Sequence, residues 1–255
     1  MSVIDKNLQE LNKLQDLQQR SHWMNELHPL GKLLISVLYI FTVASIGKYD
    51  IIHLILLAVY LVFAFVVGEL SFREGVYRMR LVLPLVVFVG IFNPFFDREI
   101  LFYIGGIGVS GGVLSMLTLV IKGFYTVLAA YVLIATTSID DICYALRCIH
   151  VPKVIVIVVM LIYRYFDVMA KEADRIMTAY MLRAPSQKGI HYKAWGTLVG
   201  QWLLRSMDRA DTVYESMLLR GFTGDFKVQK RKRKKADFIY PAIWIAVLSV
   251  IKFVL

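Results

Sequence analysis

Two arginines stand in matched surroundings. Arg183 follows Ala173-Asp174 and the run Ala179-Tyr180-Met181-Leu182, and Arg220 follows Ala210-Asp211 and the run Ser216-Met217-Leu218-Leu219. When the two arginines are aligned, each Ala-Asp pair falls at the same distance before its arginine. In both cases the chain then breaks, at Ala184-Pro185 and at Gly221. This is a repeated helix end, not a solenoid period. The last four carbonyls of a helix lack intrahelical partners and carry partial negative charge. An arginine in the last turn therefore stabilises its own helix by about 0.3–1 kcal/mol. It also reaches past the tip as a rigid fork of five donors, suited to a carboxylate or carbonyl on another molecule. One such arginine is explained by the first effect alone, whereas a matched pair points to the second. The candidate contact residues are Leu182, Arg183 and Ala184 at one tip and Leu219, Arg220 and Gly221 at the other.

Signals for other chemistry are absent from the sequence. There is no GxxxxGK[ST] phosphate loop: Gly105-Gly106-Ile107-Gly108 and Gly111-Gly112 lack the lysine. Any ATP is expected on a partner. There is no HExxH, and the five histidines are scattered. His22 and His28 do not share a helix face, and a lone His53 or His191 reads as structural. Cys143 and Cys148 are not spaced as CxxC, and two thiols do not make a four-ligand metal site. No nucleophile, base and metal converge in the pattern an enzyme needs. The expectation is a non-catalytic chain without a cofactor or metal of its own.

The elements that must hold the two arginines follow from composition. Apolar residues make up 58% of the 255 and charged residues 19%, with a net charge of +10. Typical soluble domains have roughly 45–50% apolar and about 25% charged residues, so an all-α integral membrane protein is expected. A bilayer needs about 20 mostly apolar residues per helix. Five stretches approach this: 33–46, 51–67, 81–96, 113–137 and 238–255. A sixth run, Val154–Tyr163, is short. With the N-terminus in the cytoplasm, Lys6, Lys13, Arg20, Lys32, Arg73, Arg78 and Arg80 all fall inside. If the sixth run crossed, 164–237 would lie outside with twice as many Lys and Arg as Asp and Glu. Five spans are therefore expected, with six as the alternative. The expected organisation is a membrane region over 1–137, a cytoplasmic or interfacial block over 138–237, and a last span over 238–255. About thirty polar-rich residues precede the first span, so no cleavable signal is expected. Within them Ile4, Leu8, Leu11, Leu14 and Leu17 have the spacing of an interfacial amphipathic helix, followed by Trp23 at belt height.

Within the block, Ser138 and Asp141 form a capping pattern that predicts a helix over Ile139–Cys148. A long helix is expected from Pro152 to Pro185, and a second from His191 to Arg220, although Gly196 and Gly200 weaken its start. Lys122 lies mid-span, where a charge costs about 2.5–3.5 kcal/mol; it either faces the interior or snorkels. Pro84 and Pro94 predict kinks in the third span. The run Lys230–Lys235 is expected to fix topology and touch anionic lipid, not nucleic acid.

Several stretches together resemble a family. They are Leu27-His28-Pro29-Leu30-Gly31-Lys32-Leu33, Arg164-Tyr165, Glu172-Ala173, Leu203-Leu204-Arg205-Ser206, Arg209-Ala210 and Met217-Leu218-Leu219-Arg220-Gly221-Phe222. In this order they resemble the CbiQ-type T component of energy-coupling factor (ECF) transporters for cobalt or nickel, most specifically over 160–222. The resemblance implies a multi-pass scaffold in the prokaryotic cytoplasmic membrane. It also implies two coupling helices whose arginine motifs dock on two cytoplasmic ATP-binding subunits, and a separate membrane subunit that binds substrate. Leu182-Arg183-Ala184 matches the first motif, departing from the commoner Arg-Gly ending, and Leu219-Arg220-Gly221 matches the second. Met160, Met169 and Lys122 are then candidate contacts to the substrate subunit, the methionines because they adapt to a moving surface. Simple packing within the helix pair is the alternative for them. Cobalt is the first expectation for cargo, with nickel or a vitamin as alternatives. A self-sufficient secondary transporter is less consistent with the sequence, because no Asp or Glu lies inside the first four spans.

Overall fold

The computed structural model describes residues 18, 23–96, 100–104, 107–185, 189–225 and 236–253. The amphipathic pattern over 3–20, apart from Gln18, and the basic run Lys230–Lys235 lie outside the described residues. Among the described residues the regular structure is helical apart from one antiparallel two-stranded ribbon, and the chain divides into two compact units. The first unit holds the described residues up to 142 together with 236–253. The second holds those between 143 and 225.

In the first unit, α1 (Trp23–Glu26) leads into α2 (Pro29–Ser45), α3 (Ile51–Val67), α4 (Phe72–Gly90) and the short α5 (Asn93–Phe96). The ribbon follows, β1 (Ile100–Ile104) with β2 (Ile107–Ser110), where the glycine-rich sequence read as a plain loop. Next comes α6 (Gly111–Thr136), and α10 (Ala236–Phe253) completes the unit. The stretch 81–96 is divided between α4 and α5. The reason is Pro94, whose ring would meet the carbonyl four residues back, at Gly90, where α4 ends. Among the described residues, α6 alone is long and apolar enough to cross a membrane by length and composition; α2 and α3 are shorter apolar helices.

Tyr39, Tyr60 and Trp244 form the centre of the core, with ring centroids 4.6 and 4.9 Å apart in succession. The Tyr39 hydroxyl donates to the Leu57 carbonyl at 3.1 Å, which removes the cost of burying it. Close approach of α4 to α6 depends on Gly75, where a Cβ would lie 2.8 Å from a Leu128 methyl carbon. Two lysines tie α2 and α6 reciprocally. Lys32, near the start of α2, donates to the Thr136 carbonyl at the end of α6 at 2.7 Å. Lys122, in α6, donates to the Ile46 and Ala44 carbonyls at the end of α2. Each ammonium sits where a helix carries partial negative charge.

Helix α3 is apolar on both faces. Leu54, Leu57, Leu61 and Ala64 are buried, while Ile52, Ile55, Val59, Val62 and Val66 stand 57–72% exposed along the other side. A helix in water would carry polar residues on that outer stripe.

The second unit contains most of α7 (Ile139–Cys148), then α8 (Lys153–Arg183) and α9 (Trp195–Leu219), the last preceded by a 3₁₀ turn over Tyr192–Ala194. The expected cap at the start of α7 is present, with the Asp141 N–H donating to Ser138 Oγ at 3.1 Å.

Candidate functional site

Helices α8 and α9 run antiparallel and cross near their middles. The antiparallel course is carried by three contacts along the pair, Tyr180 with His191, Glu172 with Arg205 and Lys153 with Asp225, in which one number falls as the other rises. At the crossing, Trp202 Nε1 donates to the Met169 carbonyl at 3.1 Å, and Arg205 Nη1 donates to Glu172 Oε1. Arg175 reaches the other Glu172 oxygen at 3.5 Å. The hydrogen bond from Arg205 holds the Glu172 carboxyl below its ordinary range. Partial desolvation opposes this, and the charges of Arg205 and Arg175 add to it. Where the helices diverge, an apolar groove of about 550 Å³ opens, floored by Leu161, Tyr165, Phe166, Met169, Val213 and Met217. A charged hollow of about 420 Å³ adjoins it at Met169 and Arg209.

The antiparallel course puts Arg183 and Arg220 at opposite ends of the pair. Helix α9 alone, with 25 residues, is about 37 Å long at 1.5 Å per residue, which sets the scale of their separation. The two ends are built differently. At α9 the Gly221 N–H donates to the Leu218 carbonyl at 2.9 Å and the Phe222 N–H to the Met217 carbonyl at 3.0 Å. This is a Schellman closure, with Gly221 at φ +78°. At α8, Ala184 leaves the helical region at φ −127° and ψ 60° ahead of Pro185, and its N–H donates to the Tyr180 carbonyl at 3.1 Å. The missing glycine thus changes the cap but leaves Arg183 as the last helical residue. Both arginines are exposed, and neither guanidinium makes a hydrogen bond or ion pair with another described residue. Leu182 and Leu219 are 77% and 90% exposed, so each tip offers a bare leucine beside a bare guanidinium.

One tip is braced from behind. Asp225, just past the Gly221 turn, accepts from Arg147 Nη2 at 3.1 Å and from Lys153 Nζ at 3.3 Å. Desolvation pushes the Asp225 carboxyl up, but the two cations outweigh it and the net shift is downward. Sequence reasoning did not anticipate this triad, because its members lie far apart in the chain and no local motif marks them. It also missed Trp202 and the Glu172–Arg205 pair as contacts, although their helical spacing against Met169 carried the signal. Of the three candidate substrate-subunit contacts, Met169 lines the apolar groove and Met160 is half-buried on α8. Lys122 belongs to the first unit, where the carbonyls of Ala44 and Ile46 engage its ammonium. Among the described residues, no group of three or more His, Cys, Asp and Glu is arranged to hold a metal ion.

No curated protein matches the chain. The family model of CbiQ, described as cobalt transport protein, matches residues 20–231, which take in both arginine tips, the α8–α9 crossing and most of the first unit. The chain belongs to the CbiQ family of cobalt transport proteins, the permease components of such transporters.

Proposed function

We propose that this chain is the energy-coupling subunit of an ECF-type importer in the prokaryotic cytoplasmic membrane, and that the cargo is a divalent metal ion, cobalt before nickel. The chain hydrolyses nothing itself. Two cytoplasmic subunits bind Mg-ATP, a separate membrane subunit binds the cargo, and α8 and α9 carry motion between them. The observation that carries this is the pair of exposed, leucine-flanked arginines at opposite ends of one antiparallel crossing. ATP-driven closure of two nucleotide-binding subunits changes the distance between their docking surfaces. Two stiff helices with one guanidinium at each far end turn that change into rotation about the crossing. Docking uses the arginine fork against carboxylates or carbonyls, with the exposed leucine filling a neighbouring hollow.

The surfaces agree with this setting. The outer stripe of α3 and the exposed Phe41, Leu85, Phe88 and Ile243 suit acyl chains. Helices α8 and α9 expose Val154, Ile162, Phe166, Leu203, Leu204 and Met207, more apolar surface than water tolerates on an isolated helix pair. The substrate-binding subunit, with Met169 and Met160 among its contacts, covers part of that surface.

The test is the double variant Arg183→Glu/Arg220→Glu in the assembled transporter. The expected result is loss of ATP-driven cobalt uptake and of co-purification with the ATPases, with helicity and membrane insertion unchanged. Uptake at the parental rate would overturn the docking role.

A further inference from the structure

At their crossing α8 and α9 are joined by two polar contacts one turn apart; beyond it, Asp225 past the end of α9 pairs with the exposed Lys153 at the start of α8. Met169 and Glu172 are three residues apart on α8, as are Trp202 and Arg205 on α9, so each pair projects from one face of its helix. Apolar packing does little to fix the angle between the helices: α9 has no buried residue, and α8 buries only Val156 and Ile176. The groove and the hollow flank the crossing as open space. The Trp202 bond ends on a backbone carbonyl and leaves the helix free to turn about it. The Arg205 bond ends on a carboxylate that Arg175 holds from its own helix, and this fixes a direction.

We infer that Glu172 is the pivot of the pair, a positioning residue that acts through Arg205 to set the crossing angle and hence the separation of Arg183 from Arg220. An exposed ion pair contributes little to folding, but little is needed to select among angles where packing is sparse and the other tie, from Asp225 to Lys153, runs through a long exposed side chain. About 17 Å of α8 lies between Glu172 and Arg183, and about 22 Å of α9 between Arg205 and Arg220. A rotation of about 10° at the crossing therefore moves the Arg220 tip by about 4 Å on that arm. This deepens the coupling proposal and rests on it for its consequence, but not for its geometry.

The test uses the full chain in nanodiscs, with Cys143→Ala and Cys148→Ser and spin labels on Leu182→Cys and Leu219→Cys. Pulsed dipolar spectroscopy then reads the distance between the tips. The expected result is one narrow distance in the parent. Glu172→Arg or Arg205→Glu broadens it or shifts it by about 3 Å or more, and the exchanged pair Glu172→Arg/Arg205→Glu restores it. Single variants indistinguishable from the parent would overturn the pivot, as would an exchanged pair as displaced as the singles. Where a single variant does not fold, Glu172→Gln against the exchanged pair decides by the same criterion. ATP-driven cobalt uptake by the same variants in the complex keeps the two claims separate. Distances that move while uptake does not would refute the coupling proposal and leave the pivot standing.

Discussion

Gly221 offers a sharp test of how the second tip is built. Its φ of +78° lies in the left-handed region, and a Cβ placed there would meet nothing within 4 Å. Gly221→Ala therefore costs only backbone conformation, about 1–2 kcal/mol for an L-residue, offset by roughly 0.4–1 kcal/mol from the stiffer unfolded chain. The net loss is of order 1 kcal/mol, about a fivefold change in the local opening equilibrium. Gly200 makes the control. It lies inside α9, also has nothing within 4 Å, and is helical, so Gly200→Ala gains roughly 0.5–1 kcal/mol. Two identical chemical changes on one helix thus have opposite signs. Hydrogen exchange at the amides of 217–222 reads both. Residue 221 and Phe222, which donate to Leu218 and Met217, should exchange about five times faster in Gly221→Ala and no faster in Gly200→Ala. Equal protection in Gly221→Ala and parent would refute the cap as the device that orders Arg220. Gly221→Asn, which tolerates the left-handed region, should fall between the two.

Replacing Lys122 with Met keeps bulk but strips the ammonium from the Ala44 and Ile46 carbonyls; it should lower thermal stability in detergent by about 1–2 kcal/mol, while Lys122→Arg loses less. Gly75→Val should cost about 1–3 kcal/mol by wedging α4 from Leu128 and Phe65, and Gly75→Ala less, read by the same melt. The Glu172 carboxyl is held low, so its contribution is complete above the ordinary carboxylate range and is lost as pH falls through its depressed value. The tip-to-tip distance should accordingly stay narrow at pH 5 and broaden only below the usual glutamate range. Arg175, Lys171, Arg209 and Asp208 line the hollow beside Glu172, and broadening already at pH 6 would refute the assignment.

The helix ends were the most legible part of this protein, because caps are local. Ser138 set the start of α7, Pro185 the end of α8 and Gly221 the end of α9, each within a few residues of the feature it governs. Pro94 was legible as a kink and not as the break the structure shows, because a hydropathy window joins the residues on either side of it and averaging ignores a single missing N–H. The ribbon was hidden for a related reason: glycine-rich sequence signals a turn without showing that the flanks pair. Lys32 and Lys122 read as a flanking charge and a buried anomaly, since nothing local says that each ends on the other helix's carbonyls. The matched arginines were visible as a pair, but their placement at opposite ends required the contacts of Tyr180 with His191 and of Lys153 with Asp225.

The exchange of lysines between α2 and α6 has a mechanical corollary. Each helix holds the other's tail, so sliding either one by a single 5.4 Å turn breaks both attachments in one step and strands two ammonium groups among apolar side chains. The two attachments therefore hold α2 and α6 in one axial register.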